Sequence, residues 1–127
     1  MQISDHFTSD EMTKTSTGIE NKPCPSEFAN LVELCHEILE PVRALLNQTL
    51  IITSGYRSQQ VNRAVKGKPT SQHLDGCAAD FVPKDGDCKS AYLKIVDSRL
   101  KYDQLIWEKG WIHISSSKKP RGEHWIA

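Results

Sequence analysis

Residues 71–80 read Ser-Gln-His-Leu-Asp-Gly-Cys-Ala-Ala-Asp, and the chain is organised around them. His73 offers an imidazole nitrogen, and Asp80, seven positions on, a hard carboxylate oxygen. With one more histidine the set makes a three-ligand zinc site whose fourth position stays open to water, the arrangement catalytic zinc uses. Gly76 allows a turn that a Cβ hinders, and Ala78 and Ala79 let other backbone approach closely. The bland alternative is a polar loop running into a buried strand, residues 77–82. For a lone histidine and aspartate at this spacing that alternative prevails. A second motif, late in the chain, reverses the balance.

Residues 103–108, Asp-Gln-Leu-Ile-Trp-Glu, and residues 111–115, Trp-Ile-His-Ile-Ser, flank Lys109 and Gly110. A two-residue connection with glycine signals a hairpin. In that register Glu108 faces Trp111 and Ile106 faces His113. Opposed residues share a face, as do residues two apart on one strand. Gln104, Ile106, Glu108, Trp111, His113 and Ser115 therefore lie together, while Leu105, Trp107, Ile112 and Ile114 take the buried side. Glu108 is the diagonal neighbour of His113, roughly 7–8 Å away between backbones. A carboxylate at that range reaches water on a metal held by His113. A bulge at Gly110 would break this parity, and Asp103 points to the opposite face.

Outward from these motifs, residues 50–53 form a short β-branched strand. It ends at Ser54-Gly55-Tyr56-Arg57-Ser58, where Ser58 caps a helix over residues 59–65. Residues 7–13 read as a short helix with Thr8 and Glu11 at capping-box spacing. Residues 15–25 read as a loop. A long helix follows from residue 26, with Phe28, Leu31, Leu34, Cys35, Ile38, Val42 and Leu45 as its apolar stripe. Pro41 kinks or divides it. His36 beside the stripe reads as structural or solvated. Residues 89–100 read as a third long helix, with Ala91, Ile95 and Leu100 inward. Strands are expected over 78–82, 102–107 and 111–115, and the tail from residue 116 is expected to be polar and loose until Trp125. The order predicts an α+β domain with a small, largely antiparallel sheet and flanking helices.

At 127 residues the chain is one domain, residues 1–127. Sixteen basic side chains balance sixteen acidic ones, so nothing favours nucleic acid or an acidic surface as partner. No apolar run is long enough to span a bilayer, and the N-terminus has neither the basic nor the apolar region of a secretory signal. The four cysteines lack close paired spacing, and without an export signal they read as reduced thiols. Two disulfides stay open as the alternative.

His73, Asp80 and His113 with Glu108 thus supply two imidazoles, a ligand carboxylate and a free carboxylate. Ser-x-His-x-x-Gly-x-Ala-x-Asp, the preceding Ser-Gly-Tyr-Arg-Ser and the late Trp-Ile-His-Ile resemble the M15 family of zinc D-Ala-D-Ala peptidases. That family includes bacterial carboxypeptidases, dipeptidases and phage endolysins that cut peptidoglycan peptides, and shares its fold with the hedgehog signalling domain. The resemblance runs over almost the whole chain. The early His-Phe-Thr-Ser-Asp-Glu-Met and the Leu-Glu-Pro-Val-Arg turn resemble its short phage and prophage branch. It implies one zinc ion per chain on His73, Asp80 and His113, with Arg57 polarising the scissile carbonyl or steadying the oxyanion.

One departure bears on the chemistry. In much of the family the catalytic acid stands three residues before the second histidine, where this chain has Gly110; Glu108 lies five before it. Strand geometry still lets Glu108 act as general base, with Glu123 the weaker candidate. Ser71, Gln104 and Ser115 are candidates to orient ligands or bind substrate. The expected activity is zinc-dependent hydrolysis of peptidoglycan peptides by a monomer, as carboxypeptidase or endolysin-type endopeptidase. Synthesis in the cytoplasm of a bacterial host, with action at the wall after release or within a virion, goes with it. The alternative from another class is a catalytically inactive, zinc-stabilised binding or virion structural module; a third is a metal-free structural domain.

Overall fold

The computed structural model describes all 127 residues and is an α+β domain built on a five-stranded sheet. The strands are β1 (Leu50–Ser54), β2 (Ala78–Pro83), β3 (Gln104–Trp107), β4 (Ile112–Ser115) and β5 (Glu123–Ile126), in spatial order β1-β2-β4-β3-β5. All neighbours are antiparallel except β3 and β5. The helices are α1 (Ser9–Thr13), α2 (Pro25–Leu34), α3 (Glu40–Leu46), α4 (Gln59–Ala64) and α5 (Cys88–Val96). The expected capping box starts α1: Glu11 N–H donates to Thr8 Oγ1 and Thr8 N–H to the Glu11 carboxylate.

The hairpin parity holds. Ile106 pairs with His113 and the Glu108 N–H donates to the Trp111 carbonyl at 2.9 Å. Gly110 takes φ 94°, which spares a β-carbon the left-handed conformation. Leu105, Ile112 and Ile114 are fully buried against the helices, joined by Phe81 and Ile52 from the neighbouring strands. Burial of each such side chain contributes roughly 1.5–3 kcal/mol.

Three expectations need correction. The long helix is divided just before Pro41, as expected, but its apolar stripe is not the expected one. It runs through one π-helical turn, Cys35–Leu39, where Glu40 N–H bonds the Cys35 carbonyl. Pro41 has no N–H to donate, and it sits in the first turn of α3, where none is needed. The π turn's extra residue moves the apolar stripe on by one position. Leu39 and Leu46 are buried as a result, whereas Leu45 is exposed. The α5 helix stops at Val96, because the Ser98 hydroxyl donates to the Ile95 carbonyl and accepts from Leu100 N–H, closing a turn. Finally, the tail is not loose: residues 123–126 pair with β3 as a parallel edge strand.

No helix is long and apolar enough to cross a membrane. All four cysteines are unpaired.

Candidate metal centre

One row crosses the whole sheet: Ser54 on β1, Asp80 on β2, His113 on β4, Ile106 on β3 and Trp125 on β5, each opposite the next. Strict alternation along β1 would turn Ser54 toward the core with Ile52. A register shift between Ile52 and Ser54 turns it to the Asp80 face instead, the re-aiming a β-bulge provides beside functional sites.

His73 comes to this row from a 3₁₀ turn, Gln72–Asp75, capped by the Ser71 hydroxyl, which accepts from His73 N–H. Gly76 ends the turn at φ 77°, and a β-carbon there would stand 2.4 Å from the Glu27 carbonyl oxygen. Both demands exclude other residues. His73 Nδ1–H donates to the Gly55 carbonyl at 2.6 Å, which turns Nε2 toward Asp80. Gly55 is itself held close to α1, since a β-carbon would lie 2.3 Å from the Met12 oxygen.

Asp80 Oδ1 lies 3.2 Å from His73 Nε2 and 2.9 Å from His113 Nδ1. The three ligand-type atoms lie within 4.8 Å of one another. His73 and Asp80 are buried and His113 is nearly so. Burial pushes the Asp80 carboxyl up, but the hydrogen bonds from His113 and His73 outweigh it and hold the group ionised, well below the usual carboxylate range. An anionic oxygen and two imidazole nitrogens converging from largely buried side chains fit a divalent cation of zinc's ligand preference. The carbonyl behind His73 is the kind of outer partner that orients such ligands.

Arg57 lies behind Asp80. Its Nη2 donates to Asp80 Oδ2 at 3.3 Å, its Nε to Ser54 Oγ and its Nη1 to Asn62 Oδ1. Three of the guanidinium's five N–H donors are thereby engaged, leaving two for another acceptor.

Arg57, His73, Asp80 and His113 line one cleft of about 670 Å³. Among the expected residues, Arg57, Ser71, Gln104 and Glu108 line it with the three ligand-type residues. The Glu108 side chain lies in the cleft free of ion pairs. Glu123 is half exposed at the edge and is engaged by Gln104 Nε2 and Arg121. Asp103 stays out of the cleft, buried under Arg121 and Gln72. Ser115 does not meet the cleft and the expectation for it is corrected. It is fully buried, and its hydroxyl accepts from Gln104 N–H while its carbonyl accepts from Asp103 N–H, so it closes the ladder. No cysteine lines the cleft, and burial pushes the Cys35 thiol up to about 12.

The family model for Peptidase M15 matches residues 5–115. The chain belongs to the Peptidase M15 family. That family is zinc-dependent, and His73, Asp80 and His113 are the potential metal-binding group of this M15 chain. A comparison with curated proteins finds no match.

The M15 match ends before β5, yet Arg121 and Trp125 line the cleft. Sequence reasoning missed both, together with Asn62, Lys66 and Lys68. Glu-His-Trp-Ile does not alternate, so nothing local signalled the edge strand. Nothing local marked Arg121, whose partner Asp103 is eighteen residues away.

Proposed function

We propose that this M15 chain is a zinc metallopeptidase that hydrolyses peptidoglycan peptides, of the short phage and prophage type, acting as a D-Ala-D-Ala carboxypeptidase or as an endolysin-type endopeptidase. The observation that carries the reading is the convergence of His73, Asp80 and His113 in a cleft that also holds the uncommitted Glu108 carboxylate. An inactive binding module has no need of a free carboxylate there.

His73, Asp80 and His113 hold one zinc ion per chain. When bound, zinc supplies a Lewis acid that polarises a carbonyl and makes water a nucleophile near neutral pH. Glu108 takes the proton of the attacking water and passes it to the leaving amine. Arg57, anchored at three points, directs its remaining N–H donors at the oxygen that gains charge in the transition state. Ser71 sets the His73 turn and Gln104 borders the substrate. The substrate is a D-amino-acid-containing wall peptide, a specificity that rests on the family resemblance.

The test is release of new amino termini from purified peptidoglycan by the zinc-loaded protein, with a chelated control. Release that stops on chelation and returns with zinc supports the reading. A protein that binds zinc stoichiometrically and cuts no wall peptide is the inactive module instead.

A further inference from the structure

We infer that residues 66–68, Lys-Gly-Lys, make the β1 end of the cleft a subsite for a carboxylate of the substrate. The inference rests on the peptidase reading and specifies the charge its substrate carries on one side of the scissile bond.

Lys66 and Lys68 both line the cleft and neither has an acidic partner. The other charges of the cleft are committed. Asp80 is shared by two histidines and Arg57, and Arg121 is held by Asp103 and Glu123. Two ammonium groups and the one carboxylate of Glu108 are thus the unpaired charges lining the cleft.

The loop that carries them is built in place. Asn62, 3% exposed, accepts from Arg57 Nη1 through Oδ1 and donates from Nδ2 to the Lys68 carbonyl. Its own carbonyl accepts from Gly67 N–H. Gly67 packs so closely that a β-carbon would stand 2.0 Å from Asn62 Oδ1 and 3.1 Å from Arg57 Nη1. Lys66 takes φ 60°, a left-handed conformation unfavourable for a residue with a side chain and held by its surroundings. One buried amide therefore couples the lysine loop to the guanidinium that touches Asp80.

Direction follows from the sheet. Arg57 and its loop sit on the β1 side of Asp80, while Ile106 and Trp125 lie on the β3–β5 side of His113. A peptide across the row meets two unpaired lysines at one end and, at the other, Ile106 and Trp125 beside an Arg121 already held by Asp103 and Glu123. A neutral peptide leaves the ammonium groups uncompensated, whereas a carboxylate answers them and fixes the direction of binding. Ammonium groups on flexible stems act as point charges and demand no planar fork. The subsite therefore takes a terminal α-carboxylate or the side-chain carboxylate of an internal acidic residue.

The test uses two probe pairs: acetyl-Lys-D-Ala-D-Ala as free acid and as C-terminal amide, and an acetyl-Ala-D-Glu-Lys amide against its D-Gln counterpart. Binding is read by tryptophan fluorescence, since Trp111 and Trp125 line the cleft. Titrations are run on chelated chain, where no metal competes for the carboxylate, and repeated on zinc-loaded chain. The wild type should prefer an acid over its neutral partner by on the order of tenfold, less at high salt. Preference within the first pair identifies a terminal carboxylate, and within the second an internal one. Lys66→Gln/Lys68→Gln should abolish the preference and leave binding of the neutral probe and the melting temperature unchanged. Equal binding of acid and neutral probes by the wild type, no binding of any probe, or a preference that survives in the double variant overturns the inference. Hydrolysis is scored separately. Charge selectivity without turnover removes the peptidase reading and keeps the subsite.

Discussion

Asp80 and His113 stand directly opposite each other on β2 and β4, with His113 Nδ1 2.9 Å from the carboxylate. Sheet pairing thus holds two of the three ligand-type residues, while a 3₁₀ turn anchored to Gly55 swings in the third. Two ligand-type residues on paired strands and one on a tethered turn leave little for a metal to organise, were one to bind.

Metal content checks this arrangement. Zinc measured by elemental analysis should be about one per chain in the wild type, lost in His73→Ala and kept in His36→Ala, whose ring lies at the surface against the Ile3 carbonyl. Equal zinc in the two variants would sink the ligand assignment.

Glu108 should be separable from the ligands. Glu108→Gln is expected to retain zinc and to lose turnover by on the order of 10²–10⁴-fold. Glu123→Ala should be nearly silent, because that carboxylate is half exposed and engaged by Gln104 and Arg121. A fully active Glu108→Gln with a dead Glu123→Ala would move the base to the β5 edge.

Arg57 carries two expectations that differ in readout. At saturating zinc, Arg57→Ala should lower kcat by about 10²–10³-fold with a smaller change in KM, as for other oxyanion donors. Because Arg57 also braces Asp80 at 3.3 Å, zinc affinity should fall roughly 10-fold or more. A defect confined to KM would reduce Arg57 to a substrate-binding role.

Acid stability should report on Asp103. Hydrogen bonds from Arg121 outweigh burial and bring its carboxyl down to about 2. A folded-state pKa below the unfolded one contributes stability that is full above the unfolded value, near 4, and fades as pH falls toward 2. Asp103→Asn should lose on the order of 1–2 kcal/mol near neutrality and flatten the fall in melting temperature between about pH 4 and 2. Parallel melting curves for variant and wild type over that window would refute the linkage.

By itself, the amino-acid sequence determined whatever depends on short-range period and residue chemistry. Alternation across the Lys109–Gly110 hairpin put His113, Ile106 and Glu108 on one face, and His73, Gly76 and Asp80 are legible from the donor types and the turn they need. Motif resemblance added Arg57, and the family match to residues 5–115 agrees with that resemblance. Tertiary structure decided what depends on partners far along the chain or on one residue of slippage. The extra residue of the π turn exchanged Leu45 for Leu46 in the core, and the bulge in β1 turned Ser54 to Arg57. Ser115 carries the parity of His113 but spends its hydroxyl and carbonyl closing the ladder. The tail is polar and has no local reason to be a strand. It becomes one because β3 offers an unpaired edge and buried Asp103 grips Arg121 through both backbone and guanidinium. Long-range pairing of this kind leaves no periodic trace in sequence, since its free energy comes from groups brought together only once the rest of the chain has folded.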